Sequence, residues 1–339
     1  MSNLKFQNAL NRIHQNTPPV WMMRQAGRYH KHYQALRQKY DFMTLCKQPE
    51  LAAEVALGPI QDFDFDVSIL FSDLLFPLEA LGLGLAYDPS PRLGRALTQE
   101  VLADLNSPEE ALEQLQFQKK AVQATRQVLP KDKSLIGFVG GPWTLFTYAV
   151  EGAHKGTLAT AKTQPSLYRN FCEILVPLLK ENIHLQLEGG AELVMIFDTA
   201  AGEVSADYFR HELEGHLTQL ATAFPGRIGY YSKGTLPEHL ERLRAESTFA
   251  GFGFDHRWEL PRILEQSSRG FIQGNFDQAL LFADKAQFKT ILDGYLENFQ
   301  RLSPEQRAGW VCGLGHGVLP NTPEENVRYF VQRVREVFN

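Results

Sequence analysis

Short apolar runs alternate with longer amphipathic ones along the whole chain. Eight short runs read as strands, at residues 20–23, 67–71, 135–139, 193–197, 228–231, 249–254, 271–274 and 310–314. Most are bounded by Gly, Asp or Ser, and each interval is long enough for a helix and two loops. Strands alternating with helices predict a parallel sheet, and eight such units are the number that closes a barrel. The expected fold class is α/β: a single (β/α)8 TIM-type barrel over residues 1–339, with an extra N-terminal helix near residues 3–15.

The intervals carry helix-start signals. Ser107-Pro108-Glu109-Glu110 is a capping box with Pro at the first helical position, and it opens a run to about residue 128. Ser303-Pro304-Glu305-Gln306 and Thr322-Pro323-Glu324-Glu325 repeat the device on either side of the last strand, and Thr235 with Glu238 is a weaker case. A terminal helix is expected from about residue 323. The Gly- and Pro-rich stretch 82–94 reads as a surface loop.

Composition narrows the class of protein. Apolar residues at 44% and charged residues at 22% suit a chain that buries a core. A net charge of −5 argues against nucleic-acid binding through a global positive field, though not against a local arginine cluster. The first 16 residues hold no continuous apolar core of the signal-peptide kind, and the apolar runs are too short to span a membrane. Cys46, Cys172 and Cys312 are odd in number and widely spaced, which suits neither a disulfide framework nor a zinc site; a cytoplasmic setting is expected.

In a barrel of this type, residues just past each strand converge on one mouth. Here they are Arg24 to Arg28, Ser72-Asp73, Gly140-Gly141-Pro142-Trp143 with Tyr148 beyond, Asp198-Thr199, Ser232-Lys233, Asp255-His256, Asn275 with Asp277, and His316. Arg24 and Arg28 flank Gly27 with no acidic neighbour in the local sequence. Such a pair either binds carboxylate or phosphate through its forks or bridges to glutamates elsewhere in the fold. Asp73 ends an apolar run and is either the partner of a cation or N–H donor, or a helix N-cap. His316, in Gly313-Leu314-Gly315-His316-Gly317, is flanked by glycines that let the backbone turn and leave the ring at the mouth. That string lacks the dinucleotide-binding spacing. His30-Lys31-His32 reads as a solvated helix face rather than a metal site.

Pro19-Val20-Trp21-Met22-Met23-Arg24-Gln25-Ala26-Gly27-Arg28-Tyr29 resembles one signature of the uroporphyrinogen decarboxylase family. Gly141-Pro142-Trp143-Thr144-Leu145, running through Thr147-Tyr148 to Val150-Glu151-Gly152, is similar to its second. Pro49-Glu50-Leu51-Ala52, Ile69-Leu70-Phe71-Ser72-Asp73, Phe197-Asp198-Thr199, Gln273-Gly274-Asn275 and Leu314-Gly315-His316-Gly317 extend the resemblance over nearly the whole chain.

The resemblance implies a barrel enzyme acting as a homodimer without metal or organic cofactor. The substrate it implies is uroporphyrinogen III, whose acetate side chains would become methyls to give coproporphyrinogen III. Arg24, Gln25, Ala26, Gly27 and Arg28 would hold substrate carboxylates through the two guanidiniums and the backbone between them. Asp73 would accept pyrrole N–H bonds, Tyr148, Thr199 and His316 would touch the substrate, and Arg37 falls on another family arginine. Asp73, Arg24, Tyr148 and His316 are the catalytic candidates, the last three as proton source or relay.

Four places depart from the family pattern. Gly313 stands for the usual Asn, His256 for Trp, Phe276-Asp277-Gln278 for Leu-Asp-Pro, and the segment after Gly152 is short. The rival enzyme is a cobalamin-dependent methyltransferase on the same wider fold; it needs a closely spaced His and Cys set for zinc, which this chain lacks. A tetrapyrrole carrier would have no reason to keep a carboxylate at the ring centre.

Overall fold

The computed structural model describes residues 2–87, 90–245 and 248–339. Its strands are β1 Val67–Ile69, β2 Leu85–Tyr87, β3 Pro91–Leu93, β4 Ser134–Gly140, β5 Val194–Asp198, β6 Ile228–Ser232, β7 Gly251–Gly253, β8 Phe271–Phe276 and β9 Trp310–Leu314. Seven form one sheet in the order β1-β4-β5-β6-β7-β8-β9, parallel at the registered pairs, and helices occupy the intervals. This is the α/β barrel class expected from the alternation. Strands β6, β8 and β9 are buried at every position. A parallel strand covered on both faces reads as a continuous apolar run, and that is why these were legible.

The chain clusters into two compact units. The first comprises Met1–Phe71, Ala124–Ile136 and Ala250–Asn339. Within it β1 registers with the start of β4, Val67 opposite Ser134, while β8 lies between β7 and β9. The expected first strand at 20–23 is reduced to one parallel bridge, Val20 to Cys312. Pro18 and Pro19 have no N–H to give a ladder, and Arg24 takes a left-handed turn at φ 57°, so only a residue or two remain for pairing. The segment is still strand-like on both edges. Cys312 N–H donates to the Pro19 carbonyl at 2.9 Å and Asp66 N–H to the Val20 carbonyl at 3.0 Å. Val20 N–H donates to the buried Asp66 carboxylate at 2.8 Å, and Lys5 stands 2.7 Å from the same group.

At Gly313, where the resemblance leads one to expect Asn, the Trp21 backbone passes close by. A Cβ there would lie 2.0 Å from the Trp21 carbonyl oxygen, a backbone atom with nowhere to retreat. Gly313→Ala is expected to push the Trp21 segment off β9 and destabilise the protein by about 1–3 kcal/mol, read as a lowered Tm in thermal unfolding.

The second unit comprises Ser72–Gln123 and Gly137–Phe249. Here β5 pairs with the end of β4 and with β6, Gly137 and Ile228 both registering with Val194. Helices Pro142–Glu151 and Pro165–Gly189 meet through an aromatic cluster in which Trp143, Phe146 and Tyr168 lie 5.1–5.7 Å apart between ring centres. The stretch expected as a surface loop at 82–94 holds the antiparallel hairpin of β2 and β3, Leu85 opposite Leu93. Asp88 and Pro89 lie outside the described residues.

The Ser107 box closes as expected, with Ser107 and Glu110 bonding each other's backbone N–H at 3.0 and 3.2 Å. Ser303 and Gln306 make the same exchange, yet only turns follow, because β9 begins at Trp310. Thr322 does not cap the terminal helix Glu324–Val337; its hydroxyl donates back to the Leu319 carbonyl. Thr235 instead shares a hydrogen bond with Ser232. The N-terminal helix is shorter than expected, Leu4–Leu10 with Asn3 as its cap. Among the described residues no helix is long and apolar enough to cross a membrane.

Candidate active site

In the first unit the left-handed Arg24 starts an irregular loop that runs to His30. Gln25 anchors it: its buried amide donates to the Val67 carbonyl at 3.1 Å, and its own carbonyl accepts the Tyr29 hydroxyl at 2.7 Å. Ala26 packs on the small core of Tyr33, Leu36, Leu45 and Val55. With the loop held from beneath, both guanidiniums are left at the surface. Arg24 and Arg28 are exposed, and neither makes an ion pair or side-chain hydrogen bond among the described residues. The alternative, a bridge to glutamates elsewhere in the fold, is not made among the described residues. Arg37 is exposed but engaged, donating to the Tyr40 carbonyl at 2.6 Å.

His316 is half-buried past β9. Neither flanking glycine takes a positive φ, so they are not there for a sharp turn. Gly317 is there for room: a Cβ would meet Arg24 Cδ at 2.5 Å. The aliphatic stem of Arg24 therefore lies on the backbone beside His316, with Val318 N–H donating to the Met23 carbonyl at 2.9 Å. His256 is exposed, with its ring 3.9 Å from Asp277.

His30-Lys31-His32 is not the solvated face its charge suggested. His30 is fully buried, with Nε2 2.6 Å from the Asp62 carboxylate, and burial lowers its pKa against the pull of Asp62. His32 packs so closely on Gly58 that a Cβ there would overlap its ring. Among the described residues no three His, Cys, Asp or Glu side chains are grouped to hold a metal ion.

In the second unit Asp73 is half-buried and accepts the Leu75 N–H at 2.9 Å. This bond two residues on is an Asx turn, not the N-cap alternative. Ser72 beside it accepts from Gln118 at 3.0 Å. Tyr148 is half-buried on helix Pro142–Glu151, its hydroxyl hydrogen-bonded to His154 Nδ1. Thr199 follows β5, half-buried between two fully buried neighbours, Asp198 and Ala200.

Asp198, His154 and Tyr230 were not singled out by the sequence reading. Asp198 accepts the Thr144 hydroxyl at 2.6 Å, the Thr144 N–H at 3.3 Å and the Tyr230 hydroxyl at 3.2 Å. Burial nevertheless pushes its carboxyl up to about 6, the three donors opposing. A carboxyl whose pKa is raised in the folded state stabilises the fold most below its ordinary pKa, and that contribution is lost as pH rises through about 6. Relative to Asp198→Asn, which cannot ionise, the wild type is therefore expected to lose up to about 3 kcal/mol between pH 4 and pH 7. Denaturant unfolding of both proteins across that range checks it.

Parallel strands alternating with helices define a protein of the α/β-barrel class. The sequence profile described as Uroporphyrinogen decarboxylase (URO-D) matches residues 1–337. The uroporphyrinogen decarboxylase of Chlorobium phaeovibrioides is 32% identical over 349 residues, covering 99% of this chain and 98% of its own. That of Helicobacter hepaticus is 35% identical over 335 residues, with 94% of each chain covered. The chain belongs to the uroporphyrinogen decarboxylase family. Among solved structures, a methyltransferase from Methanosarcina mazei superposes with a TM-score of 0.71 at 19% identity, covering 99% of this chain and 98% of its own. A B12-independent methionine synthase from Shewanella sp. W3-18-1 gives 0.54 at 12%, covering 85% and 88%. At those identities the likeness is one of fold alone.

Proposed function

We propose that the chain decarboxylates uroporphyrinogen III, turning its acetate side chains into methyls and releasing CO2 to give coproporphyrinogen III. The observation that carries this reading, beside family membership, is the pair of exposed guanidiniums that make no ion pair among the described residues of a protein of net charge −5. A porphyrinogen bearing many carboxylates is a ligand that such a pair suits, because each fork can take one carboxylate through two hydrogen bonds.

Losing CO2 leaves an electron pair on the side-chain carbon, and something must accept it. A pyrrole does so itself: protonating a ring carbon makes a cation beside the acetate. The carbon–carbon bond to the carboxylate then breaks, its electron pair flows into the ring, and the resulting methylene takes a proton to become methyl. As the ring carbon gives its proton back, one proton is consumed per CO2 released. Asp73, half-buried just beyond β1, would accept the pyrrole N–H bonds and stabilise the cationic ring. Arg24 and Arg28 would hold carboxylates, with the backbone of Gln25, Ala26 and Gly27 between them. Tyr148, Thr199 and His316 would contact the substrate, and Tyr148, His316 or Arg24 would deliver the proton. Arg37 would serve as a further carboxylate partner.

The family profile matches residues 1–337, which supports reading the chain as one catalytic domain. The family resemblance also supports a homodimer that works in the cytoplasm without metal or organic cofactor. Turnover in deuterated water tests the chemistry. Each new methyl is expected to carry one deuterium, and methyls free of deuterium would rule out protonation by an exchangeable group.

A further inference from the structure

Helix Pro142–Glu151 begins without a side-chain cap of its own, because Gly141 stands at its N-cap. The first N–H groups of a helix have no acceptor inside it. Asp198, at the end of β5, supplies one from another element: its carboxylate accepts both the N–H and the hydroxyl of Thr144, in the first turn. The negative charge sits at the positive end of the helix, where it is favoured. Only glycine at 141 permits the approach, since a Cβ there would lie 2.5 Å from the Asp198 carboxyl carbon.

The same hydroxyl has a second bond. Ala200 N–H donates to Thr144 Oγ1 at 3.0 Å. Thr199 is thereby held from both sides, through Asp198 before it and Ala200 after it. Tyr148 lies one turn beyond Thr144 on the same helix face. One hydrogen-bonded pair thus ties together the elements that carry Tyr148 and Thr199, and Tyr230 completes it from β6.

We propose that Asp198 and Thr144 are a positioning pair that sets Tyr148 and Thr199 for the substrate, an assignment that rests on the functional reading above. Apolar packing would hold these elements at less cost than a desolvated carboxylate, whose charge burial disfavours. What the carboxylate adds is direction: its bonds fix the start of the helix and the turn after β5 in one mutual geometry.

The test is a double-mutant cycle on turnover of uroporphyrinogen III. Thr144→Val keeps the shape and removes the hydroxyl. It is expected to fold, to lower kcat by about 10–100-fold, and to change KM by less than about 3-fold. Thr144→Ser is expected to recover most of the rate. Combined with Tyr148→Phe, Thr144→Val should cost much less than the product of the two single losses, because both act on one group. Single losses that multiply in full, or an unchanged kcat in Thr144→Val, would overturn the positioning pair while wild-type turnover leaves the functional reading intact. A folded wild type without turnover overturns that reading, and this assignment with it. If Thr144→Val does not fold, Thr144→Ala, which also removes the hydroxyl, takes its place in the same cycle with the same expected coupling.

Discussion

Replacing Asp73 with Asn is expected to leave a folded protein that has lost roughly 10²–10³-fold in kcat, the cost typical of removing one preorganised electrostatic group from a reacting centre. The substitution is nearly isosteric, and its side-chain oxygen can still accept the Leu75 N–H, so the Asx turn at the end of β1 survives. What disappears is the charge. A neutral amide presents one acceptor oxygen and a pair of donors, and those donors repel the pyrrole N–H groups that the carboxylate is proposed to receive. The loss should therefore fall on kcat more than on KM, because the ring is cationic only after protonation. Circular dichroism and thermal unfolding, run beside steady-state kinetics, separate this from misfolding. Near-normal turnover in folded Asp73→Asn would remove the carboxylate from the mechanism.

Arg24→Met is the second large effect. The methionine keeps an unbranched stem over Gly317, so the packing beside His316 is retained while the charged head is removed. Arg24 has no ion pair in the described structure, so the change leaves no buried carboxylate unpaired and should cost little stability. The expected cost lies in substrate: a hydrogen bond to a charged group contributes about 1.5–3 kcal/mol, which corresponds to about 10–150-fold in kcat/KM. Raising the salt concentration should lower kcat/KM of the wild type and lower that of Arg24→Met less steeply. Steady-state kinetics of both proteins at a series of ionic strengths reads this out. Parallel salt curves would mean that the guanidinium meets no substrate charge.

The strands best read from sequence were those whose runs are buried throughout. β9 was expected at 310–314 and observed at Trp310–Leu314, because five apolar or small residues covered on both faces leave little doubt about period or length. The first strand failed for the opposite reason. Val20 keeps a strand's hydrogen bonds, but two prolines before it and a left-handed arginine soon after allow no more than a bridge. The hairpin of β2 and β3 was hidden because a Gly- and Pro-rich stretch signals turns and says little about the three-residue strands between them.

For the site, the signature positions were legible as chemistry: arginines with no local partner, a carboxylate after an apolar run. Asp198 was not, although it stood at a strand end in plain view. Its meaning lies in donors 54 and 32 residues away, at Thr144 and Tyr230, and no spacing rule joins them. His30 was misread in the same way, since the Asp62 that makes its burial tolerable comes from another helix.

The central claim is tested most directly by incubating purified, metal-stripped protein anaerobically with uroporphyrinogen III and counting the carboxyl groups of the products. Successive loss of carboxyls down to coproporphyrinogen is the predicted result, and it would establish the reaction and its independence of added cofactor together. Unchanged substrate from a protein shown to be folded would contradict the account, and would turn attention to Gly313 and His256, where this chain leaves the family pattern.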